Sequence, residues 1–109
     1  MIVNIKHMEK RKSILVIKIV EKDIVLELVK VIDSGNKKVK MIDSLQWGDD
    51  GNTSKELLAK IDEFLQKNNL VVQNLLKVKT DIDKNQKYTL ARIVQIIAET
   101  INYCLQENI

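Results

Sequence analysis

Proline is absent from this 109-residue chain, glycine occurs three times, and there is one histidine and one cysteine. With so few glycines a phosphate-cradling loop has no material, and no glycine-rich nucleotide motif occurs. A lone histidine, His7, excludes a histidine-rich metal site or a two-histidine relay. A lone cysteine, Cys104, excludes an internal disulfide. Aromatic residues make up 4% of the chain and arginine is limited to Arg11 and Arg92, poor material for stacking on bases or reading their edges. No apolar run approaches the ~20 residues of a membrane-spanning helix.

What is present is ordinary for a folded protein: 45% hydrophobic and 30% charged residues, enough for one domain with a modest core. The reading is therefore a single domain over 1–109, with 1–12 as a flexible or edge segment. Met8 offers a second start. The net charge of +3 is spread evenly, with ten basic and eight acidic side chains in residues 1–50 and no cationic arm. Lys10, Arg11 and Lys12 before SILVIKIV imitate a signal peptide, but Lys18, Glu21 and Lys22 interrupt it and no small-residue cleavage site follows. The expectation is a cytoplasmic protein, with no membrane partner. The wealth of lysine, isoleucine and asparagine fits an AT-rich genome, phages, viruses and other mobile elements included.

Residues 14–20 (ILVIKIV) and 24–32 (IVLELVKVI) are dominated by β-branched residues and are joined by a short polar link, Glu21 to Asp23, which predicts a hairpin. Asp33-Ser34-Gly35-Asn36 predicts a second turn. Val39, Met41, Leu45 and Trp47 then alternate with polar residues, and Ile42-Asp43 breaks the phase as a β-bulge would. Thr53 and Glu56 have capping-box spacing ahead of a helix with Leu57, Leu58, Ile61, Phe64 and Leu65 on one face, stopped at Asn68-Asn69. Residues 70–79 read as a strand or as an amphipathic helix, with the strand favoured and Val72, Leu76 and Val78 sharing a face. A loop is expected from Asp81 to Lys87. The fold class expected is α+β: a three-stranded antiparallel meander, a capped helix, this short element, and a long C-terminal helix packed on the sheet.

That last helix, Tyr88 to Gln106, carries two charges, Arg92 and Glu99, where composition predicts about six. Leu90, Ile93, Val94, Ile97, Ile101, Cys104 and Leu105 form an apolar arc, which makes Cys104 a small buried hydrophobe. The outer face holds Tyr88, Arg92, Gln95, Ile96, Glu99 and Tyr103, a weakly charged surface with tyrosines of the kind that interfaces favour.

The other candidates are weaker. Asp81, Asp83 and Asn85 imitate an EF-hand, but Gln86 replaces its glycine and Arg92 its bidentate glutamate, so a polar loop is expected. Asp49-Asp50 has no partner placed by motif and reads as a solvated loop. Asn52-Thr53-Ser54 matches a glycosylation sequon that carries little weight in the cytoplasm. Lys37, Lys38 and Lys40 cluster on a turn and a strand, where they could follow phosphates.

From Val16, the stretch VIKIVEKDIVLE, with the element order after it, resembles the first half of ribonuclease-H-like and actin-like domains over residues 14–80. Those families carry an aspartate in the first strand, often as G-I-D-x-G, where this chain has Lys18 and then Val20. The resemblance is topological and implies a degenerate, non-catalytic relative. The function expected is a small non-enzymatic interaction or assembly protein, without cofactor or metal, homo-oligomeric through the outer face of the last helix. Nucleic-acid binding through Lys37, Lys38 and Lys40 is the alternative.

Overall fold

A computed structural model of the chain describes residues 12–33, 35, 38–48, 53–82 and 88–107. Strands β1 (Ser13–Val20), β2 (Asp23–Asp33) and β3 (Lys38–Gly48) form the expected meander. Helix α1 (Thr53–Lys67), a 3-10 turn (Val72–Asn74), strand β4 (Leu75–Ile82) and helix α2 (Tyr88–Glu107) follow. The four strands are ordered β3-β2-β1-β4, with β4 parallel to β1, so the sheet is mixed and α1 serves as the crossover that a parallel pair requires.

Both helices lie on one face. Leu15, Ile17 and Ile19 of β1 stand in register with Leu28, Leu26 and Ile24 of β2, and this double row packs against Leu57, Ile61, Phe64 and Leu65 of α1. Leu90, Val94, Ala98, Ile101 and Leu105 of α2 complete the same core. The α2 helix sits chiefly over β4 and reaches β1. The other face of the sheet carries no described helix.

Two local devices place these elements. In the register of β2 and β3, Leu28 pairs with Asp43 but Val29 pairs with Met41, so Ile42 is the extra residue of a bulge, as the broken alternation predicts. Asp43, Leu45 and Trp47 thereby face the helices, while Met41 and Val39 turn to the open face. The α1 helix stops in a Schellman motif: Leu70 N–H donates to the Leu65 carbonyl at 2.8 Å and Asn69 N–H to Gln66 at 3.0 Å, with Asn69 at φ 60°. Asparagine tolerates that left-handed conformation better than most residues.

Three expectations need correction. The strand favoured within 70–79 is present from Leu75, after a 3-10 turn, but it continues through Asp81 and Ile82, which were expected in a loop. Leu76 does not share a buried face with Val78: the register shift between Ser13 and Ile14 makes Leu76 the extra residue, leaving it exposed and Leu75 buried. Cys104 is exposed rather than buried, because it lies about 80° around the helix from Val94, at the centre of the buried stripe. Ala98 takes the place in the core that the arc assigned to larger residues. The Thr53 cap, the turn residues Ser34, Asn36 and Lys37, and residues 1–11 lie outside the described residues.

Candidate interaction surfaces

The outer face of α2 is assembled as the periodicity predicts. Arg92, Ile96, Glu99 and Tyr103 follow one another at helical spacing, directly opposite the buried stripe, and all four are exposed. Ile96 keeps 52% of its surface accessible and Tyr103 64%. Gln95 is exposed on the flank towards β4. Tyr88 opens the helix, and its side chain lies outside the described residues.

That flank borders an open cleft of about 290 Å3 between α2 and β4, lined by Val78, Thr80, Gln95, Ala98, Glu99 and Asn102. Asn102 spans it: its Oδ1 accepts the Val78 N–H at 2.7 Å and its Nδ2 donates to the Val78 carbonyl at 2.8 Å. Among the described residues that line it Glu99 is the one titratable group, so they offer polar contacts rather than an acid–base pair.

The lysine cluster lies on a hairpin arm. Because β1 begins at Ser13, opposite Lys30, the ends of β2 and β3 run on without it. Lys38 and Lys40 are exposed on this arm, with Lys40 directly opposite Lys30; Lys37 lies outside the described residues. Like charges facing each other across a ladder repel, which favours an anionic neighbour. Ile32, Val39, Met41 and Ile42 are exposed on the same arm.

The open face of the sheet is the surface that sequence reasoning missed. Register places Ile14, Val16 and Lys18 of β1, Val25, Glu27, Val29 and Val31 of β2, Val39 and Met41 of β3, and the exposed Lys77, Lys79 and Asp81 of β4 on it, and Ile14 is buried there. Lys18 bonds Glu27 at 3.1 Å and approaches Asp81 at 3.9 Å. The signal was available: β1 and β2 are apolar at both parities, the mark of strands buried on both faces.

Elsewhere on the helix side, Asp43 ties β3 to the end of α1. Its carboxylate accepts from Asn68 Nδ2 at 3.1 Å and from the Ser44 N–H at 2.8 Å, with Lys67 Nζ 3.6 Å away. The Asn68 hydrogen bond, then the Ser44 amide, hold its pKa below the ordinary 3.8. Trp47 packs partly buried against the core, with Lys60 Nζ 5.8 Å from the centre of its ring.

Of the calcium-like loop, Asp81 falls in β4, and Asp83, Asn85 and Gln86 lie outside the described residues, as do His7, Asp49 and Asp50. Among the described residues no three histidine, cysteine or acidic side chains come together to hold a metal ion. No described helix is long and apolar enough to cross a membrane.

No protein-family model matches the chain, and no curated protein does. Among solved structures it is similar to YeaZ from Pseudomonas aeruginosa, with a TM-score of 0.66 at 13% identity, over 87% of this chain. The chain spans 40% of that protein's length, and the likeness is one of fold.

Proposed function

We propose that this is a small non-enzymatic assembly protein of the cytoplasm, homo-oligomeric through the outer face of α2. The observation that supports it is the pair Ile96 and Tyr103, two turns apart and both more than half exposed, on a helix whose opposite side already satisfies the core. Arg92 and Glu99 complete the stripe. A twofold contact between antiparallel copies of this helix, centred beside Ile96, sets those two opposite charges against each other and brings the two Ile96 side chains together, with Tyr103 further along the same stripe. The test is Tyr103→Arg: the mass seen by light scattering falls while circular dichroism is unchanged. A wild-type chain that is monomeric at about 100 μM, well above the range of specific oligomers, overturns the reading.

A second reading, nucleic-acid binding, is favoured by the Lys30–Lys40 juxtaposition with Lys38 beside it. It predicts retention on nucleic acid that falls steeply as salt rises. Gel shifts at low and high salt decide between the two. The third reading, a degenerate non-catalytic relative of the ribonuclease-H-like and actin-like domains, draws support at the level of fold alone. There, Lys18 stands in the central strand where the resemblance implies an aspartate, and it is engaged with Glu27 and Asp81.

A further inference from the structure

We infer that the outer edge of β4, from Thr80 onward, binds an extended peptide strand of alternating charge. Its basic side chains turn into the cleft beneath α2 and its acidic ones towards Lys77 and Lys79. The inference goes beyond the assembly reading, because it uses the flank of α2 and not self-association. Three observations carry it: the direction of the backbone groups, the shape of the cleft, and the charges on its two sides.

In a strand both backbone groups of a residue point to one side, and that side alternates along the chain. Val78 turns its N–H and carbonyl away from β1, to Asn102. Thr80 and Ile82 share its parity and point the same way, while the groups of Lys77, Lys79 and Asp81 face β1. Asn102 engages Val78 alone, and no described residue bonds the outward groups of Thr80. Thr80 is exposed although its side chain is on the helix side of the sheet. A bare edge of this kind is what an added strand pairs with.

The cleft continues that edge towards α2, with the small side chain of Ala98 leaving room beside Thr80. At about 290 Å3 and open to solvent, it falls just short of the roughly 300–1,000 Å3 of clefts that enclose small molecules. It suits the side chains that a strand beside β4 turns to the helix side.

A second copy of this chain does not fit there. Twofold-related edges pair antiparallel with the same face up, so each copy brings its own α2 over its own β4. Paired strands lie about 4.8 Å apart, whereas packed helices keep at least about 8 Å. A peptide without a helix has no such conflict.

Charge sets the pattern of the peptide. On the cleft side Glu99 is exposed, and no described residue forms an ion pair with it. On the other side Lys77 and Lys79 are exposed and likewise without an ion pair among the described residues, whereas Asp81 lies 3.9 Å from Lys18. Alternate residues of a bound strand face these two sides. A basic residue beside Thr80 therefore meets Glu99, and an acidic one meets Lys79.

The probe is a fluorescein-labelled peptide of about eight residues, the reach of one strand, alternating lysine with glutamate. Its control holds the same residues in two blocks, lysines first. Anisotropy is read on the Tyr103→Arg chain, so that Glu99 is free whether or not α2 pairs. The alternating peptide is expected to bind with a Kd below about 1 mM, and the block peptide at least about tenfold more weakly. Thr80→Pro removes the outward N–H and leaves the bonds to β1, a change that an edge strand tolerates. It should weaken binding at least about tenfold, as should Glu99→Lys. Circular dichroism verifies that each variant is folded. Should Thr80→Pro fail to fold, a shift of the Thr80 amide resonance on adding peptide takes its place.

No binding at about 1 mM, equal binding of the two peptides, undiminished binding to either variant, or an unmoved Thr80 amide overturns the inference. Each of these results leaves the α2 reading standing, since that reading is tested by the mass of the wild-type chain.

Discussion

Asn102 grips Val78 by both backbone groups, accepting its N–H at 2.7 Å and donating to its carbonyl at 2.8 Å. The Val78 groups point away from β1, towards the place a fifth strand would take beside β4. One side chain of α2 thus performs the pairing of a missing strand, and blunts an edge that would otherwise recruit another chain.

Asn102→Ala removes both bonds at once and leaves a part-buried donor and acceptor unpaired. The expected loss is about 2 kcal/mol of stability, read from the denaturation midpoint at an unchanged m-value. A variant as stable as the wild type would mean that water replaces the amide without cost.

Asp43 gives the fold an acid-sensitive joint. Its pKa is lowered in the folded chain by Asn68, then by the Ser44 amide, with Lys67 contributing. The folded state therefore binds its proton less readily than the unfolded state. The resulting stability is in place above the ordinary value of 3.8 and is lost as pH falls through the lower folded value. Against Asp43→Asn, the wild type should be the more stable at neutral pH, and the two curves should converge on acidification. Parallel curves from pH 7 to pH 2 would show that the joint does not titrate.

Ile42 matters for its backbone more than for its side chain, which is exposed. Ile42→Thr should change stability by no more than about 0.5 kcal/mol. Deleting the residue should cost at least about 2 kcal/mol, because a one-residue slip sends Met41 and Val39 to the helix side and the arm's lysines to the open face. Equal effects in thermal melts would refute the role of the bulge.

Lys40→Glu places an acid opposite Lys30 and converts a cross-strand repulsion into an attraction. The gain should be about 0.5 kcal/mol at low ionic strength, fading as salt is added. The same change should abolish any salt-dependent binding of nucleic acid; binding that survives it would place the nucleic-acid contact elsewhere.

Much of the architecture was legible because it is local. The β-branched runs marked β1 and β2, the phase break at Ile42-Asp43 marked the bulge, and Asn68-Asn69 marked the end of α1 where Asn69 takes its left-handed turn. The outer stripe of α2 was legible from period alone, since opposite sides of a helix need only counting. Cys104 was misplaced because a wheel gives the width of an apolar arc but not the part that meets the sheet. Ala98 was overlooked because small residues give little hydrophobic signal, yet close approach of helix and strand favours them.

By itself the sequence determined the element types, the α1 stop, the bulge and the two sides of α2, all set by contacts within a few residues. Only the tertiary structure decided that β4 joins β1 in parallel, that both helices take the same face, and that Asn102 closes the edge at Val78. Those outcomes join residues as far apart as Ser13 and Leu75, or Val78 and Asn102. No periodicity encodes such pairings, because they are set by how the apolar faces bury one another. The apolar residues at both parities of β1 and β2 were in the sequence throughout, but their meaning required knowing which face the helices leave open.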